Sequence, residues 1–324
     1  MNAGQQAIEW LYSTQLQVDD QWAVRRPDGF TWWAYQNAQT IEIIGEEEGP
    51  DGQTGYLIGV RTDMVDDLDL TDQAAEDICT GPMQTAALAG PVYDPETRRL
   101  RLCSLALVHD DNAQWIRVLL SAAAATQLAE AMLLGPALAE QVHGRFAVSA
   151  HPDSGVRETP DEIALSARLL VEDGRQPCRW QAGDFEQAVQ QHMMQPPSLG
   201  ASSAGSGLTV EFPYADGTSL CQIIGDSPHP LYGSGLLILQ RFPFSAGSTD
   251  NGVRLAMALN QDDLSIQPAG YGFGSYTYRD NIICFNAFVP HALKGPVTLA
   301  NLYYSCAVRA RSVARRLVNR DWDA

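Results

Sequence analysis

Only one of the 21 basic residues in this 324-residue chain is lysine, Lys294, and 39 acidic residues outnumber them to leave a net charge of −18. A chain so poor in positive charge repels phosphate backbones, which argues against nucleic acid as a partner. No CxxC or HExxH occurs, and the six histidines (109, 143, 151, 192, 229 and 291) never fall at helical ligand spacing, so no metal site is expected. The six cysteines (79, 103, 178, 221, 284 and 306) are scattered, several inside apolar runs such as LRLCSLALV, and read as buried reduced thiols. No P-loop or GxSxG signature is present, so no catalytic residue and no cofactor is assigned. The opening MNAGQQAIEW has neither the basic segment nor the apolar run of a signal peptide. The longest apolar candidate, VLLSAAAATQLAEAMLLG, is interrupted by Ser, Thr, Gln and Glu, so no membrane span is expected and the cytoplasm is the expected compartment.

Two faint patterns dissolve on inspection. GYGFGSY (270–276) has glycines at 270, 272 and 274 but runs into the strand-like SYTYR, where a phosphate loop would open a helix; bulges in a curved strand fit better. DMVDDLDLTDQAAED (63–77) holds seven carboxylates without the glycine and terminal glutamate of an EF-hand, and reads as a solvated loop entering a helix.

What the sequence does contain is a repeat. Residues 43–61, IIGEEEGPDGQTGYLIGVR, align without a gap on 223–241, IIGDSPHPLYGSGLLILQR, with eight of nineteen identities where composition gives about one by chance. Reading outward, the first copy shows a helix in QQAIEWLYSTQL and strands at 30–35, 39–46 and 55–62. A helix follows in LTDQAAEDICT, capped by Thr71 or Asp72, then strands at 98–109 and 113–122 joined at Asp111-Asn112, and a closing helix broken near Gly135-Pro136. The second copy shows helix GDFEQAVQQHMM capped at Asp184, strands in LTVEFPYA, SLCQIIGD and GLLILQRF, and an inner helix from Thr249-Asp250. Strands in GFGSYTYR and IICFNAFV meet at Asp280-Asn281, before a long C-terminal helix. The offset between copies is 180 early and 169 at the last hairpin, which implies a nine-residue loss around AGPVYDPETR. The expected architecture is α+β: two tandem α-β-β-β-α-β-β-α units with antiparallel sheets, over 1–145 and 182–324. A segment over 146–181 joins them, with a helix after Thr159-Pro160, and SLGASSAGSG (198–207) reads as a flexible linker.

This element order, the acid excess and the IIG…GxLI…R echo resemble the type III secretion chaperone-like fold, including YbjN-type proteins. The resemblance implies a non-enzymatic peptide- or protein-binding chaperone or adaptor with a link to secretion. Single-unit members of that class dimerise, so tandem fusion implies a monomer carrying an internal pseudo-dimer related by a rough twofold. Because residues 1–150 carry 8 basic against 22 acidic side chains, a basic client is favoured.

The candidate peptide-binding residues are Trp33 and Tyr35 in FTWWAY, with Phe212 and Tyr214 in the matching strand, where Pro213 marks a strand edge open to β-augmentation. These aromatics fit equally well in the interface between copies. The Arg-rich end VRARSVARRLVNR reads as an amphipathic helix with Leu302, Cys306, Ala310, Val313 and Leu317 inward and its arginines outward, either solvated or docking an acidic surface. Two other functions stay open: a structural protein whose copies pack only on each other or on further chains, and a hydrolase with a site assembled from distant residues.

Overall fold

The computed structural model describes residues 1–48, 52–164, 179–244, 247–295 and 298–319. The first unit runs α1 (Ala3–Trp10, extended by a π-helical turn, Leu11–Gln15), β1 (Ala23–Arg26), β2 (Gly29–Trp32), β3 (Gln39–Glu48) and β4 (Thr54–Asp66). It continues with α2 (Asp72–Thr80), β5 (Gly90–Asp94), β6 (Arg99–Val108), α3 (Ala113–Gln141) and the short β7 (Arg145–Phe146). The second runs α4 (Ala182–Ala188, with its own π-helical turn, Val189–Met193), β8 (Gly200–Ala204), β9 (Gly207–Tyr214), β10 (Gly217–His229) and β11 (Gly233–Phe242). It ends with α5 (Thr249–Ser265), β12 (Ser275–Arg279), β13 (Ile282–Pro290) and α6 (Thr298–Asn319).

Both sheets are antiparallel and share one strand order. The first is β1-β2-β3-β4-β6-β5, with β7 pairing separately on β4; the second is β8-β9-β10-β11-β13-β12. Register is repeated too. Trp32 pairs Gln39 as Phe212 pairs Ser219, and Ile43 pairs Ile58 as Ile223 pairs Ile238. Ile58 pairs Ala106 as Ile238 pairs Ala287. The offset is therefore 180 through the early strands and 181 at the last pair, where the sequence suggested 169. AGPVYDPETR is not an insertion: it forms β5 and its turn, and its counterpart is β12.

Four further expectations are corrected. Residues 113–122 are the start of α3, and Ile116, Leu119, Leu120, Ala123 and Ala124 are buried at helical spacing. That helix runs through Pro136 without a break. Asp111-Asn112 therefore leads into a helix, whereas Asp280-Asn281, both at positive φ, form the hairpin turn between β12 and β13. SLGASSAGSG builds β8 and its turn into β9. Two caps also shift: Ser248 caps α5, and Asp184 sits inside the first turn of α4, accepting from the Gln181 N–H at 2.8 Å. Thr71 caps α2 as expected. A helix starts at 162–164; its continuation, Cys178, and the Pro50-Asp51 turn lie outside the described residues.

Alternation along each strand aims one face at a long helix. Ile41, Ile58 and Val60 are buried, with α3 packed over β4 and α1 beside β3, and a glutamine ties sheet to helix in each unit. Gln39 Nε2 donates to the Ala124 carbonyl at 2.9 Å, and Gln240 Nε2 to the Cys306 carbonyl at 2.9 Å. α3 is long and apolar enough to cross a bilayer, yet 67% of its apolar window is buried in the protein, as for a core helix. The five described cysteines are free thiols, four of them buried.

The units meet through equivalent parts, as a pseudo-twofold demands. α2 packs beside α5, and β5 approaches β12. The loop after α2 crosses to β13, where the Phe288 N–H donates to the Ala87 carbonyl at 3.1 Å and Asn286 Nδ2 to the Met83 carbonyl at 3.0 Å. Reciprocally, the loop after α5 crosses to β6, where Gly272 and Leu105 exchange both backbone hydrogen bonds at 2.8 and 3.1 Å. The glycine triplet is thus a seam between units. A Cβ on Gly272 would stand 2.8 Å from the Leu105 carbonyl oxygen.

Candidate functional site

Trp33 is buried, its indole N–H donating to Ser149 Oγ at 2.8 Å and its ring edge-on to His151 at 5.1 Å. Arg157 donates to the Trp33 carbonyl at 2.9 Å, so the segment after β7 lies over this residue. Tyr35 is half-buried in the bend that follows β2. Phe212 and Tyr214 point inward, 5.5 Å from the Tyr303 ring and 5.8 Å from the Phe242 ring. The four aromatics therefore form no common surface. β9, which carries Pro213, is not an edge: it lies between β8 and β10, and Pro213 falls just past the end of β8.

The sheet edges themselves differ sharply. β1 carries Arg25, ion-paired with Glu9, and Arg26, 3.1 Å from Glu42; charged side chains on an edge discourage further pairing. The edge of β12 is covered by Asn260 of α5, whose amide accepts from the Tyr276 N–H at 2.7 Å and donates to its carbonyl at 3.1 Å. β5 abuts the second unit so closely that a Cβ on Gly90 would stand 2.6 Å from the Gly274 carbonyl oxygen. β8 has none of these devices. Its sequence is GASSA, without charge, proline or bulk, and among the described residues its outer side has no strand neighbour, though α4 and its π-helical turn pack close to it.

Around β8 stand the apolar groups that could seat side chains of an added strand. Leu199, whose N–H extends the ladder to the Glu211 carbonyl at 2.8 Å, is 60% exposed, and Met194 is 64% exposed. Ser198 fastens them together, its hydroxyl donating to the Gln195 carbonyl at 3.1 Å and its N–H to Tyr303 at 3.2 Å on α6. Sequence pattern overlooks this site because backbone, not side chains, makes it. The only signal was a run of small residues, which reads equally well as a linker.

The other polar clusters have structural partners. Arg309 is buried rather than outward, 3.6 Å from buried Asp263, with its guanidinium 3.6 Å above Phe285 and donating to the Tyr271 carbonyl at 2.6 Å. Cys306, Ala310, Val313 and Leu317 are buried as expected and Leu302 half-buried, while Arg311 and Arg315 are exposed. Between units, Tyr232 donates to Glu130 at 3.0 Å, and His229 stacks on Tyr232 with Nε2 2.9 Å from the Thr85 carbonyl. Burial pushes the Glu130 carboxyl up to about 8, against the hydrogen bond from Tyr232, and burial lowers His229. Among the described residues no three His, Cys, Asp or Glu side chains converge as metal ligands would. The chain matches no family model, no curated protein and no solved structure.

Proposed function

We propose that the protein is a non-enzymatic adaptor or chaperone whose client, an extended peptide segment, adds a strand to the open edge of β8. The observation that carries this is the contrast among four edges: one bears arginines, one is capped by Asn260 of its own α5, and one abuts the other unit. Among the described residues β8 has no strand, ion pair or asparagine on its outer side, although α4 and its π-helical turn pack nearby. Main-chain hydrogen bonds supply affinity in such pairing, and pockets for alternate side chains supply selectivity. Leu199 and Met194 are the groups placed to receive apolar client residues. Exposed Glu211, paired with Gly200, and the acidic chain as a whole favour basic residues flanking that segment. The resemblance of the element order and acid excess to the chaperone-like class supports the same reading, with the cytoplasm as the proposed compartment.

The test uses a displayed library of unstructured decapeptides selected on the intact protein, followed by proline substitution at Ser202 and at Ser203. Successive residues of an antiparallel strand send their N–H groups to opposite sides, one toward β9 and one outward. One substitution should abolish peptide binding at unchanged thermal stability, while the other weakens the hairpin. Failure to select any peptide, or binders indifferent to both prolines, removes β8 as the site.

A further inference from the structure

The two sheets present the same outer face with different chemistry. On the first, Thr31, Thr40 and Arg61 form one cross-strand row, and Gly29, Glu42 and Gly59 the next. Glu42 pairs there with both Arg26 and Arg61, so the face is charged and hydrated. On the second sheet the equivalent rows are Glu211, Leu220 and Arg241, then Thr209, Gln222 and Leu239; beyond them lie Ile224 and Leu237. Leucine replaces Thr40 and Gly59, and glutamine replaces the ion-paired Glu42. Leu220, Leu237 and Leu239 are half-buried and Ile224 is 40% exposed, with Leu236 and Ile238 filling the opposite, helix-covered face. A contiguous apolar face on a sheet whose twin keeps a charged one is a surface to be covered.

We infer that this face of the second sheet joins two copies of the chain into a twofold dimer, sheet against sheet. The placement of charge selects a second copy over other occupants. Glu211 and Arg241 flank Leu220 on opposite sides, one strand away each, and among the described residues neither makes an ion pair. A twofold axis running along β10 between facing sheets sets Glu211 of each copy opposite Arg241 of the other. The same axis puts Leu220 against Leu220 and Gln222 against Gln222, whose amides can exchange hydrogen bonds. Aligned sheets pack this way about 10 Å apart.

The patch covers three strands at about 4.8 Å spacing and five residues at about 3.4 Å, a planar area of roughly 250 Å². That is about a third of the about 800 Å² per partner of a standard stable interface, so association is reversible and concentration-dependent. It differs from the monomer expected of a tandem fusion, because the internal pseudo-dimer uses a different surface.

Sedimentation velocity over about 1 to about 200 µM, the range that brackets weak association, tests this on the full chain. The expected weight-average mass rises from the 35.3 kDa monomer toward twice that value. Leu239→Glu should weaken association at least about tenfold by burying an unpaired charge. Glu211→Arg and Arg241→Glu, both at exposed positions that the fold does not depend on, should each weaken it, and the double reversal should restore it. A protein that stays monomeric throughout overturns the inference. So does a dimer untouched by these substitutions, or single reversals that the double reversal fails to rescue.

Discussion

The phenol of Tyr232, at the tip of the second unit's β10–β11 hairpin, donates to the carboxyl of Glu130 on the first unit's α3 across 3.0 Å of buried interface. An acid held there is stable only while protonated. With its folded value at about 8 and its unfolded value near 4.5, the native state holds a proton that the unfolded chain releases. Stability is therefore full below about pH 4.5 and declines as pH rises to about 8, by on the order of a few kcal/mol.

Glu130→Gln keeps the hydrogen bond and removes the titration. Urea unfolding at pH 5.5 and pH 8 should show a larger loss in wild type than in the variant. Equal losses would mean that Glu130 is not held neutral. His229 acts in the opposite sense: its lowered value costs stability only as pH falls below about 6.5.

Trp33→Ala should destabilise the first unit by about 3–5 kcal/mol, the usual cost of truncating a buried aromatic. Circular dichroism with urea titration measures it. A folded variant with wild-type stability would return Trp33 to the surface.

Arg309→Met leaves Asp263 buried without its cation, a change that typically costs about 3–5 kcal/mol. The double variant Asp263→Asn/Arg309→Met should recover part of that loss. A double-mutant cycle on unfolding free energies gives the coupling, and strict additivity would show that the two charges act independently.

At the seam, Gly272→Ala sets a methyl 2.7 and 2.8 Å from two backbone oxygens, of Asp263 and Leu105. A loss of about 1–3 kcal/mol follows from overpacking. Gly183→Ala, with nothing within 4 Å, is the control. Hydrogen exchange at the Leu105 N–H should rise in the first variant and stay unchanged in the second.

The repeat was legible because strand register is exact: a slip of one residue would have moved Ile43 and Ile58 to the wrong face. The 113–122 segment was not, because ten residues apolar on both faces look alike as a buried strand or a buried helix. The alanines that follow Ser121 were the discriminating signal. The aromatic candidates drew attention through side-chain size, yet Trp33 and Phe212 owe theirs to core packing. The β8 edge has no side-chain signature at all, and the Glu130–Tyr232 contact joins residues 102 positions apart, beyond any local pattern.

In a dimer of identical chains every substitution is made twice, once on each side of the axis, so both outer faces must carry the same chemistry. Two units in one polypeptide are free of that constraint. A change at Leu220 leaves Thr40 untouched, and one half can keep a hydrated, charged face while the other carries leucines. The same freedom lets one outer edge be blocked by arginine and the other left bare. Covalent tandem linkage thus allows a repeated scaffold a distinguishable left and right: ion-paired Glu42 on one outer face, and Gln222 flanked by leucines at the matching place on the other.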